Sequence, residues 1–197
     1  MSTASLAPQP VLADRLISRS LATDIALVLT GAVVVGVLAQ VSFTRFPVPI
    51  TGQTLGVLLV GGSLGMRRGA MSMFTYLTAG VAGVPWFADF TGGPAALVKP
   101  SFGYIIGFVF AAALIGWLAE RNWDRRPVLS MVGFGLASLV PFLFGLPYLA
   151  VVLGMSDVST VIAAGFTPFI VGGLIKWAIA AAIFPAAWAG VRKLDRR

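Results

Sequence analysis

The chain has 197 residues and a formal net charge of +7, with 58% apolar but only 11% charged residues. Soluble domains carry about 25% charged residues, so this chain cannot cover a water-facing surface, and its mean hydropathy of +0.94 points to lipid as its solvent. With no Cys and no His, thiol catalysis, disulfides, haem ligation by His and the common zinc sites are excluded.

Residues 1–24 are polar and Pro-dotted and lack the charged start, apolar run and small-residue cleavage site of a signal peptide. They are expected to form a cytoplasmic N-terminal segment ahead of a single membrane domain over 25–197. A span needs about 20 apolar residues. Residues 25–44, uncharged between Asp24 and Arg45, make the first. Residues 46–66 are also uncharged but begin Phe-Pro-Val-Pro-Ile-Thr-Gly-Gln, and two prolines in three residues oppose a helix there. The second helix is therefore expected over 54–66, at about 20 Å too short for a hydrocarbon core of about 30 Å. Further spans are expected over 69–84, 101–119 and 127–154. The sixth, over 163–191, is interrupted only by Lys176.

The basic residues order these spans. Arg15 and Arg19 precede the first, Arg67 and Arg68 separate the second and third, Arg121, Arg125 and Arg126 separate the fourth and fifth, and Arg192, Lys193, Arg196 and Arg197 follow the sixth. Eleven of the 14 Lys and Arg thus lie on one side. The positive-inside rule makes that side cytoplasmic and puts both termini there. Basic residues placed between apolar blocks speak for topology and against nucleic acid.

Three basic residues break the pattern. Arg45 and Lys99 fall on outward loops, and Lys176 lies inside the sixth span. A charge at mid-membrane costs about 2.5–3.5 kcal/mol on insertion scales and needs a partner or a wet cavity. The nearest acid in sequence is Asp157, so a ligand carboxylate is the expected counter-ion. Snorkelling to an interface is the alternative. The irregular run 44–53 is expected to dip below the surface, where such backbone is tolerated if it lines a cavity. The loop 84–104 joins five aromatics, a Gly-Gly-Pro turn and Lys99, which suits a small-molecule pocket; an interfacial belt is the alternative for Trp86 and Phe90, but it leaves the loop length, the turn and Lys99 unexplained. Ala32 and Gly36 on the first span form a small-xxx-small pair for close helix contact, within the bundle or with another subunit. There is no Walker A loop, so the chain is not expected to hydrolyse ATP. A Ser-His protease and a carboxylate proton relay lack their residues too. The chain reads as a binding protein, not an enzyme.

The run Pro47-Val48-Pro49-Ile50-Thr51-Gly52-Gln53-Thr54-Leu55-Gly56-Val57 resembles the signature of the BioY family, biotin-specific S components of energy-coupling factor (ECF) transporters. The likeness continues through Leu64-Gly65, Arg68-Gly69, Tyr76-Leu77, Gly83-Val84-Pro85, Gly92-Gly93, Pro100-Ser101-Phe102-Gly103-Tyr104 and Leu118-Ala119-Glu120-Arg121, and covers about residues 25–190. It implies an all-α, six-helix S component that takes biotin from outside and works with a transmembrane T component and cytoplasmic ATPases, with biotin as cargo and no cofactor. It implies a T-component contact at Ala32 and Gly36. With the residues already singled out, it implies ligand contacts at Thr51, Gln53, Phe87, Asp89, Gly93, Lys99, Phe102, Tyr104, Gly173 and Lys176. Similar proteins carry Asp three residues before the lysine, where this chain has Gly173. Asp89, Gln53 or Thr51 are expected to supply the missing acceptor for the ureido ring. An S component for another carboxylated vitamin, a ligand-free membrane scaffold and self-association stay open on the residues alone.

Overall fold

The computed structural model describes residues 9–43 and 46–194, so Arg45, Arg196 and Arg197 lie outside the described residues. The fold is helical. A short α1 (Leu12–Leu16) precedes α2 (Leu21–Ala39), α3 (Gln53–Val81), α4 (Phe102–Ala119), α5 (Pro127–Leu153), α6 (Val158–Gly165) and α7 (Ile170–Leu194). Four stretches among the described residues are long and apolar enough to cross a membrane: Leu21–Ala39, Phe102–Ala119, Pro127–Leu153 and Val158–Leu194.

α2 starts four residues before the expected span, because the Ser20 side chain accepts the Thr23 N–H at 3.1 Å and caps the helix. Its outward stripe is Leu21, Ile25, Leu29, Val33 and Val37, all exposed. Its inward stripe is Gly31, Ala32, Val35, Gly36 and Ala39, all buried. A long apolar stripe facing outward marks a surface covered by lipid or by another protein.

The expected second and third spans form one folded-back element. Inside α3 the chain passes through Gly65 with φ 84° and ψ 178° and reverses. A Cβ on Gly69 would stand 2.9 Å from the Cα of Gly61, so the arms 53–64 and 66–81 cross in contact. Small residues at this crossing let two backbones meet. The arms are about 18 and 24 Å long. α4 packs against both arms and against α5. It buries most of its length, whereas α2, α5 and α7 turn much of theirs outward. Phe134, Phe184, Ile115 and Leu58 form a second core between α3, α4, α5 and α7. The Ser130 hydroxyl donates to the Ala181 carbonyl at 2.9 Å and ties α5 to α7.

One expectation needs correcting. The last span is not continuous from residue 163: α6 ends at Gly165, a 3-10 turn at Thr167–Phe169 carries Pro168, and α7 begins at Ile170. Proline disfavours helix at the residue before it, which explains the break. The pair Ala32 and Gly36 is packed inside the bundle. Ala32 is fully buried, and a Cβ on Gly36 would lie 3.0 Å from the Trp86 side chain. Their smallness serves packing within this chain.

The bundle has two unlike ends. At one, α1, the Gly65 reversal, the end of α4 and the turn Trp123–Arg125 meet. Glu120 accepts the Met66 N–H at 2.9 Å and Arg125 donates to the Pro10 carbonyl at 2.7 Å. At the other, a two-stranded antiparallel ribbon, β1 (Ser42–Phe43) with β2 (Ile50–Thr51), lies beside the long loop between α3 and α4.

Candidate functional site

The ribbon carries the chain from α2 back into the bundle. The Gly52 N–H donates to the Val41 carbonyl at 3.0 Å, which turns Thr51 and Gln53 inward, where both are buried. The Thr51 hydroxyl donates to Gln53 Oε1 at 2.7 Å. Gln53 Nε2 donates to the Tyr76 hydroxyl at 2.7 Å, and that hydroxyl donates to the Trp86 carbonyl at 3.1 Å. This relay joins the ribbon to the second arm of α3 and to the loop beyond it. Trp86 is no membrane belt: its indole N–H donates to the Tyr76 carbonyl at 2.8 Å, and its ring lies 5.3 Å from that of Tyr76. Phe90 remains exposed. From α2, Gln40 Nε2 donates to the Trp86 and Phe87 carbonyls, both at 3.2 Å, while its Oε1 accepts the Phe90 N–H at 2.9 Å.

These contacts wall a cavity of about 240 Å³ at the ribbon end. Of the ten expected ligand residues, seven line it: Thr51, Gln53, Phe87, Asp89, Lys99, Tyr104 and Lys176. Lys176 projects from α7 and its Nζ donates to the Thr51 carbonyl at 2.6 Å, so it does not snorkel away. Lys99 and Asp89 are exposed and form the rim, where the Ser42 hydroxyl donates to Asp89 at 2.6 Å. Among the described residues the charged lining is thus two lysines against one aspartate, a bias toward an anionic guest.

Three expected residues lie elsewhere. Phe102 packs on Tyr148, ring centroids 6.0 Å apart. Gly93 starts the turn Pro94–Val98 with φ 85° and donates its N–H to the Gly80 carbonyl at 2.7 Å. Gly173 faces a separate groove between α5 and α7. Sequence reasoning missed the prolines Pro47, Pro49 and Pro141 as wall residues and the aromatics Phe108, Phe142 and Phe169. Tyr104 lies edge-on to Phe142 at 5.7 Å and stacked on Phe169 at 6.0 Å. Its hydroxyl donates to the Gly165 carbonyl at 2.8 Å. The available signal was Pro168 beside two phenylalanines, which marks a helix break that turns aromatics inward.

A helical membrane bundle with one enclosed end, aromatic walls, a buried hydroxyl-amide relay and an ammonium at its back defines a membrane protein that holds a small molecule. The chain belongs to the BioY family, whose family model matches residues 9–193. It is 34% identical over 172 residues to the biotin transporter BioY of Rhizobium etli, covering 84% of this chain and 91% of that one. It is 35% identical over 156 residues to the biotin transporter BioY of Thermotoga maritima, covering 79% and 89%. Its fold is similar to the 2.1 Å crystal structure of an S-component for biotin from an ECF-type ABC transporter, with a TM-score of 0.70 at 23% identity over 89% of this chain and 92% of that one. The relatives are named transporters, not enzymes.

Proposed function

We propose that the chain is the biotin-binding S component of an ECF-type transporter, crossing the membrane six times with both termini in the cytoplasm. The observation that carries this reading is the cavity itself, which places Lys176 behind Thr51 and Gln53 at the end away from the clustered arginines. Biotin pairs an apolar bicycle and chain with a ureido group and a carboxylate. The aromatic walls take the apolar parts, Thr51, Gln53 and Asp89 face the ureido group, and the Lys176 ammonium faces the carboxylate. The guest enters past the rim of Lys99 and Asp89 from outside. The arms of α3 are each one crossing, short because the ribbon and the Gly65 turn complete their depth. Delivery inward falls to a transmembrane partner and paired ATPases, because this chain has no phosphate-binding loop of its own. The small-residue face of α2 is packed within the chain, so the partner docks on another surface. Purified protein in detergent is expected to bind biotin in a calorimetric titration and to melt at a higher temperature with it. A shift with a different carboxylated vitamin and none with biotin would reassign the ligand. No shift with any of them would leave a scaffold.

A further inference from the structure

A groove on the outside of the bundle shares a wall with the cavity. It runs between α5 and α7, holds about 430 Å³, and is lined by apolar side chains such as Leu136, Leu139 and Leu174. Those three are at least half exposed on a face that lipid surrounds. Met131 and Phe142 both line the groove, and the helix between them is about 16 Å long, the length of a long acyl chain. At the Met131 end the Trp177 indole N–H donates to the Met131 carbonyl at 2.7 Å and bridges α7 to α5. The side of the groove is open at Gly173, where nothing lies within 4 Å of a Cβ position. Thr54, Phe142, Phe169 and Lys176 line the groove and the cavity alike.

The polar groups of the groove define its guest. The Ser138 hydroxyl donates to the Gly135 carbonyl at 2.7 Å, and the Trp177 N–H is used on Met131. Lys176 uses one N–H on Thr51 and, of the three an ammonium carries, keeps two for a further acceptor among the described residues. Among the described residues, Lys176 is also the only charged one along the groove. A single cation on an apolar trough suits an amphiphile with one small anionic head and one chain. We infer that the groove binds a long-chain carboxylate, its head at Lys176 Nζ and its chain between α5 and α7. A bilayer phospholipid fits worse: it brings a second chain and a bulky headgroup, for which the groove offers no further cation. Because Lys176 serves both spaces, a fatty acid in the groove and a carboxylate in the cavity exclude each other.

Trp177 lines the groove and reports its occupancy. Purified protein in detergent is titrated with dibromostearate, whose bromines quench tryptophan fluorescence on contact. The expected result is saturable quenching by the acid that neither its methyl ester nor a phosphatidylcholine with brominated chains reproduces. Trp177→Phe is expected to remove that component. Gly173→Leu, placed in open space and so compatible with folding, fills the groove and is expected to remove it as well. Lys176→Met is expected to weaken the acid by about tenfold or more. Equal quenching by acid, ester and phospholipid, or quenching that survives Trp177→Phe, overturns the proposal. A separate biotin titration keeps the two readings apart, since in the absence of biotin the groove binds its acid even if the cavity's own ligand proves to be another molecule.

Discussion

Lys176 sits in the stretch 170–191 of α7, which is otherwise uncharged, with its ammonium on a backbone carbonyl. A carbonyl dipole offsets only part of the cost of a buried charge, about 2.5–3.5 kcal/mol at mid-membrane; a carboxylate completes the neutralisation. Lys176→Ala is therefore expected to lower biotin affinity by about 10- to 150-fold, the equivalent of about 1.5–3 kcal/mol. Calorimetric titration of the variant measures this, and unchanged affinity takes Lys176 out of the site. This residue was legible in the sequence because a lone cation in an apolar run has few explanations. Thr51 and Gln53 were legible because prolines before them rule out regular helix. Gln40 and Tyr76 were not. Their hydrogen bonds go to Trp86, Phe87 and Gln53, partners that the chain reversal at Gly65 and the return of the long loop bring near. Nothing local to residues 40 or 76 announces them.

The decisive element is the folded-back α3. Its pivot has φ 84° and ψ 178°, a region essentially closed to residues with a Cβ and costing about 1–3 kcal/mol to occupy. A Cβ there would also meet Glu120 Oε1 at 2.7 Å, the same oxygen that accepts the Met66 N–H. Gly65→Ala is thus expected to lower the melting temperature in detergent by the equivalent of about 2–3 kcal/mol. Biotin affinity should fall with it, since the arms carry Gln53 and Tyr76. A melting curve matching the parent's would show that the turn relaxes without strain. The interruption itself could be read from Arg67 and Arg68 between two apolar runs. The pivot could not, because Gly61, Gly62, Gly65 and Gly69 look alike in sequence and only Gly65 takes the left-handed region. The ribbon of Ser42–Phe43 with Ile50–Thr51 was hidden for a different reason: two-residue strands carry no periodic signal.

Across the whole molecule, charge and cavity lie at opposite ends, and the N-terminal segment is bound to the charged one. Arg68 carries this junction. It donates to the Leu64 carbonyl at 3.0 Å within its own hairpin, to Asp14 at 2.5 Å on α1 and to Asp24 at 3.2 Å on α2. The Gln9 N–H adds a bond to the Glu120 carbonyl at 2.9 Å. The grouping of basic residues was legible from their spacing, but the acidic partners were not, since Asp14 lies 54 positions from Arg68. Partial burial pushes the Asp14 carboxyl up, yet hydrogen bonds from Arg19 and Arg68 overcome it and hold the group at about 2. A carboxyl whose folded value is below its unfolded 3.8 stabilises the fold above that pH, and the contribution disappears as pH falls through about 2. Solvent screening of the exposed Arg19 reduces the effect to about 1–2 kcal/mol. Asp14→Asn is accordingly expected to melt several degrees below the parent at about pH 6 and alongside it at about pH 2. A deficit that stays constant across that range would assign the loss to the shape of the side chain and not its charge, and would leave the segment held to the bundle by packing at Val11 and Ala13, both buried, with Arg68 secondary.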